Sequence, residues 1–421
     1  MAGQTDQGES GDAAVASSLA RRRSLRLISA AVLVLIVGAI VVVAFVAAPG
    51  PTKGVAAAGP TVSVSTDTCG SGWSGHDAGQ QSFTLQNTTV AGVETYLQDP
   101  VSRATYLDVE GLGTTASVDV NLVLNAGEYQ FVCLPADADP VLGPVFSLGP
   151  DPEGRTLFAN ATPGIVPVTR NDMIPIAKQY GAWITAQLPA LLVDTQLLQS
   201  DIVARNLTAA RSDWLTAHLA YEQLGAAYGA FGDLDSAING MPASGSTALT
   251  DPGLTGFHRI EALLYSTAAA TDITGPAGQL VAYVSDLQTA FASARIDPLD
   301  VGLRAHEILE NALQFELSGR TDAHSGTELA TVSANLTGTN AALAPLRPLL
   351  ATRYPPAALA DTDAALSAAE TLVTSYRHAD GTWTPLSALS QTERERINSA
   401  IGNAVELLAP VAAICDIRRE S

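Results

Sequence analysis

The sequence predicts a multidomain chain of mixed α and β class: an N-terminal transmembrane helix, a small β-sandwich, then an all-α bundle. Three observations carry this. An uncharged apolar run lies near the N-terminus, a period of two governs the next stretch, and a helical period governs the rest.

Residues 27–48 form 22 positions without a charge, preceded by Arg21, Arg22, Arg23 and Arg26. A helix of that length spans about 33 Å, enough to cross a hydrocarbon core of about 30 Å. The arginines hold residues 1–26 in the cytoplasm as a disordered leader, so everything after the anchor lies outside. The competing reading is a cleaved signal, which leaves residues 60–421 outside as well.

From Thr61 apolar and polar residues alternate. Val62 and Val64, Phe83 and Leu85, Val118 to Leu124, and Tyr129 to Cys133 share faces, with turns such as Asn125-Ala126-Gly127 between runs. These predict a sandwich over 60–150. Residues 151–172 are rich in proline and glycine and read as a linker. Over 173–418 the spacing becomes helical: Trp214, Tyr221 and Tyr228 fall seven apart, and Ser390 with Glu393 makes a capping box before Ile397 and Ile401.

Composition narrows the function. Acidic residues number 42 against 22 basic ones, for a net charge of -20. Such a surface repels phosphate backbones, so we expect no nucleic-acid partner. Three cysteines without CxxC spacing make neither a disulfide scaffold nor a structural zinc site. No GxSxG string or P-loop occurs. A zincin helix needs HExxH. Here His258 is followed by Arg259 and, four positions on, by Ala262, so the base and the second ligand are both missing.

The string Gly256-Phe257-His258-Arg259-Ile260-Glu261 is the most informative. On a helix, His258 and Glu261 share one face at i and i+3, a donor pair suited to iron, zinc or manganese. The same spacing also makes an ordinary surface ion pair. His218 lies one turn before Glu222 and shares its face. His306 and His378 read as surface histidines, and Cys415 as a small buried hydrophobe.

That string resembles the GxHxxE signature of the imelysin family. Further runs resemble its EfeO-like iron-uptake branch, over about residues 60–418. They are Ala220-Tyr221-Glu222, the run from Phe231-Gly232-Asp233 to Ile238, Glu310 with Leu317-Ser318-Gly319 and His324-Ser325, and Ser375-Tyr376-Arg377 with Gly381. The resemblance implies a cupredoxin-like sandwich followed by an imelysin-like helical bundle. It implies a non-enzymatic component that captures iron, Fe2+ or Fe3+, and passes it to a permease, with a haem peroxidase as a further partner. The alternative is an extracytoplasmic imelysin-type metallopeptidase. The implied ligands are His258, Glu261 and Glu222, with Asp235, Glu310 and His324 as further candidates. The chain departs from the family at Gly319-Arg320-Thr321, where two carboxylates are absent; Asp322, His324 and Glu328 are available to substitute.

In the sandwich, residues 125–133 resemble the strand that carries the family's second cysteine. Glu94 keeps one of two glutamates, and Tyr96 stands for the other. Type-1 copper needs two histidines and a cysteine. His76 is the sole histidine of residues 60–150, so that site is excluded. Cys69 and Cys133 are left with two readings: a disulfide, or ligation of copper or zinc together with Glu94 and His76.

Overall fold

The computed structural model describes residues 59–136 and 138–416; the expected leader and membrane helix fall outside the described residues. The described part begins with eight strands. One sheet contains β1 (Thr61–Val64), β2 (Cys69–Ser71), β3 (Gly79–Asn87) and β6 (Ser117–Leu124), in the order β2-β1-β3-β6. The other contains β4 (Val93–Gln98), β5 (Thr105–Leu112), β7 (Gly127–Pro135) and β8 (Val141–Leu148), in the order β5-β4-β7-β8. β1 runs parallel to β3, and the remaining neighbours are antiparallel.

Alternation explains the packing. Val62, Val64, Phe83 and Leu85 of one sheet share a core with Leu97, Phe131 and Leu148 of the other. Trp73 meets Phe131 and Phe146 edge-on, with ring centroids 5.3 and 4.8 Å apart. Cys69 and Cys133 form a disulfide between β2 and β7, with Cα atoms 5.8 Å apart. The two cysteines are therefore not metal ligands: each sulfur is spent on the other. Closing a loop across 64 positions of sequence contributes roughly 4 kcal/mol in the chain-entropy account.

Residues 151–169 are not a free linker. They lie along the strands, where Thr162 N–H donates to Val123 O at 2.8 Å and Ile165 pairs with Thr105. The helical region starts at Arg170, capped by a box between Thr169 and Asp172 worth about 1 kcal/mol. Its helices are α1 (Arg170–Val203), α2 (Leu207–Glu222), α3 (Tyr228–Phe231), α4 (Asp233–Asn239), α5 (Gly256–Leu264), α6 (Ala270–Phe291), α7 (Asp300–Asn311), α8 (Glu328–Arg353), α9 (Pro356–Thr374) and α10 (Gln391–Cys415). α1 packs on α2 and α6, and α7 packs on α8 and α10. By length and composition α10 is apolar enough to cross a membrane, but Ile397, Ile401 and Leu408 are buried in the helical core.

In the stripe through Trp214, Tyr221 and Tyr228 the first two are buried and Tyr228 is partly so, but they do not lie on one helix. α2 stops at Glu222 and the chain tightens into a turn over Gly225–Ala227. A side chain at Gly225 would come within 2.9 Å of Ile308 on α7, so this crossing admits only glycine without rearrangement. The break sets Glu222 at a helix end, beside α8.

Candidate metal centre

Gly256 fixes the position of α5. Its φ is +76°, and a Cβ there would lie 2.0 Å from Ile238 O, so only glycine lets α5 abut α4. Seven of the eight residues that follow Gly256 in α5 are buried, the exception being Arg259. Arg259 instead donates to Ala248 O and Leu249 O, both at 2.7 Å, and holds the loop before the helix.

His258 and Glu261 are 4% and 2% exposed. They are not a surface ion pair. His258 Nδ1 lies 3.5 Å from Glu261 Oε2, while Glu261 Oε1 accepts from Ala323 N–H at 3.0 Å. Burial works to raise the Glu261 carboxyl, but the His258 hydrogen bond and charge hold it below the usual range.

A second imidazole faces this pair. His218, on α2, is 3% exposed, and its ring centroid lies 5.6 Å from that of His258. Trp214 stacks on it at 5.0 Å and donates its indole N–H to Phe257 O at 3.0 Å. His218 Nε2 is 3.2 Å from Glu222 Oε1, yet neither ring nitrogen has an aligned hydrogen-bond partner. Glu222 lies beyond His218 and is taken up by amides: Asn239 donates to Oε1 at 2.7 Å and Asn335 to Oε2 at 2.8 Å. Despite burial, His218 and these amides leave its carboxyl below the usual range.

Another carboxylate arrives from a segment whose spacing gave no warning of it. After α7 the chain makes a π-turn over Ala312–Glu316, with Leu317 N–H bonded to Ala312 O at 2.9 Å. The wider turn carries Glu316 inward. It is buried and accepts from Thr321 Oγ1 at 2.6 Å. Burial first, then repulsion from Glu222, pushes its carboxyl up to about 8.

His218, His258, Glu261, Glu316, Asp322 and Glu328 line one cavity of about 10 Å³, room for one water-sized particle. Thus Asp322 and Glu328, the expected substitutes, reach the centre. Glu328 Oε2 is buried and has no hydrogen-bond partner. Among the described residues no lysine or arginine lines the cavity. Glu261, Glu316 and Glu328 are buried carboxylates that share this cavity with two imidazoles. A buried carboxylate either stays protonated, as the raised Glu316 favours, or takes a compensating charge, and the donor set of imidazole and carboxylate fits a divalent or trivalent transition-metal ion.

His258, Thr321 and Asp322 also line an outer cleft of about 520 Å³, with His324 on its wall. His324 is exposed, at φ +80°. Asp235 stands apart from the cavity and accepts from Tyr221 Oη at 2.7 Å. Glu310 is exposed, 3.6 Å from His306 Nδ1, and does not line the cavity. His306 itself is largely covered rather than a surface residue.

In the sandwich, Glu94 faces Asp108 and Glu110 across β4 and β5, and one ligand atom from each lies within 4.8 Å of the others. Glu94 also accepts from Tyr96 Oη. Asp108 and Glu110 are two apart on β5 and so share a face, a spacing legible only once that strand is known.

The imelysin family model matches residues 176–411, from α1 through α10. Proteins named iron uptake system component EfeO, from Escherichia coli (strain K12) and Shigella flexneri, are each 28% identical over 235 residues. That alignment spans 56% of this chain and 62% of each relative. The helical region that builds the cavity is thus the region the family model describes, and the chain belongs to the imelysin family.

Proposed function

We propose that the chain is an extracytoplasmic iron-binding component of an uptake system. It captures Fe2+ or Fe3+ in the helical region and passes it to a permease, with a haem peroxidase acting in the same system. The relatives' name supports a role in iron uptake. The observation that carries the reading is the cavity beside His258 and Glu261, where buried carboxylates outnumber imidazoles and no basic side chain offsets them.

Each residue has a task in this reading. His258 and Glu261 bind the ion, with Glu316, Asp322 and Glu328 in the same cavity to neutralise it. Asn239 and Asn335 keep the Glu222 charge just outside. The outer cleft, which shares His258 and Asp322 with the cavity, is the route for ligand exchange, and His324 is a transient ligand along it. Glu94, Asp108 and Glu110 form a weaker second site for iron, copper or zinc in a cupredoxin-like sandwich. Residues 27–48 anchor the chain.

Peptide hydrolysis is the lesser reading. It needs an open coordination position, a placed base and room for a peptide. The helix that carries His258 lacks the base and second histidine of an HExxH site. The test is to incubate the purified chain with iron, desalt it, and measure metal content alongside casein cleavage. Iron retained without cleavage is expected. Metal-dependent cleavage, or complete loss of iron on desalting, contradicts the proposal.

A further inference from the structure

We propose that His218 is a ligand of the same centre, so that one cation is held by two imidazoles, with Glu222 orienting His218 from outside. This rests on the reading that the helical region holds a metal ion, and it adds a residue on a different helix from the His258–Glu261 pair.

Three observations converge on His218. Its imidazole is buried and lines the cavity; Nε2 lies against Glu222, and Nδ1 has no hydrogen-bond partner. Buried polar side chains are nearly always partnered, so an orphan on a cavity-lining residue points to something that fills the cavity. The spacing also fits. Metal–nitrogen bonds of about 2.1 Å place two imidazole centroids roughly 5–6 Å apart around one ion, and the His218 and His258 centroids are 5.6 Å apart. Finally, a ligating imidazole commonly turns its other nitrogen to a carboxylate that fixes tautomer and ring. Glu222 Oε1 lies 3.2 Å from His218 Nε2, and Asn239 and Asn335 hold that carboxylate in place. Nδ1 is then the nitrogen left for the ion. Trp214, stacked on the ring and tied to Phe257 O, fixes the ring plane.

The bland alternative is a core histidine packed on Trp214 and ion-paired with Glu222. It leaves Nδ1 buried with nothing to bond, and it gives no reason for the approach to His258.

Cu2+ is a suitable probe, because imidazole binds it well and pulsed EPR counts the coordinated imidazoles. The full chain loaded with one equivalent of Cu2+ should show two imidazoles. His218→Ala should show one and bind Co2+ at least tenfold more weakly. Glu222→Gln should keep two imidazoles and lose roughly tenfold in affinity. If the wild-type protein binds Cu2+ through one imidazole and His218→Ala leaves that spectrum unchanged, the inference falls while the iron-binding reading stands. If the wild-type protein binds neither metal, both fall. Because the wild-type spectrum alone counts the imidazoles, a variant that fails to fold does not protect the proposal.

Discussion

At the scale of single residues, Glu316 is the carboxyl that the fold pushes into the neutral pH range. Burial and the nearby Glu222 push its carboxyl up to about 8. A raised carboxyl favours the neutral form in the folded state. The stability it confers is complete below the unfolded value near 4.5 and is lost as pH rises through 8. The melting temperature of the metal-free protein should therefore fall between pH 5 and pH 8, and Glu316→Gln should flatten that fall. An equally steep decline in Glu316→Gln would assign the effect elsewhere. Cys415 is a second group whose burial has a testable consequence. Its thiol is buried against Gly302 and pushed up to about 12 by burial. With Cys69 and Cys133 joined and three cysteines in the whole chain, a thiol reagent should label nothing in the native protein and one site after denaturation. Rapid native labelling would contradict the buried, inert thiol.

At the scale of elements, the centre is assembled by local backbone devices. Gly256 lets α5 meet α4 head-on, and its positive φ and the Ile238 carbonyl both bar a side chain. Gly256→Ala should cost at least about 2 kcal/mol in urea denaturation, with metal affinity falling too; a loss below half that would show that α5 tolerates displacement. The same elements show what was legible in the sequence. His258 and Glu261 were visible because i and i+3 residues share a helical face, and β3 and β6 because their apolar residues alternate. Whether His258 faced core or water was not visible, because HxxE spacing is common to both. Strand β5 was hidden because its residues are mostly half-exposed on both faces. Glu316 was hidden because a π-turn changes the angular step per residue, so ordinary helical spacing assigns it to the wrong face. His218 shares a face with Glu222 by spacing, but nothing in the sequence marked its missing partners.

At the scale of the whole molecule, the two largest hydrophobic cores among the described residues divide the work. One lies between the two sheets, and the other runs through the helices. The disulfide belongs to the first. Reduction should lower the unfolding temperature followed by β-sheet signal while leaving metal affinity of the helical region within about twofold, as expected for sites that share no partners. A parallel loss of metal affinity would mean that the cores are coupled. A net charge of -20 favours encounter with cations over anions across the whole surface, but specificity belongs to the buried cavity. The central claim is therefore tested most directly by titrating the full chain with iron, wild type against His258→Ala, with the metal-free melting temperature measured on both. At least a tenfold loss of affinity, about 1.4 kcal/mol, is expected, with the metal-free variant still folded at the temperature of the titration. Full affinity in His258→Ala would contradict it, because the ion would then be held elsewhere.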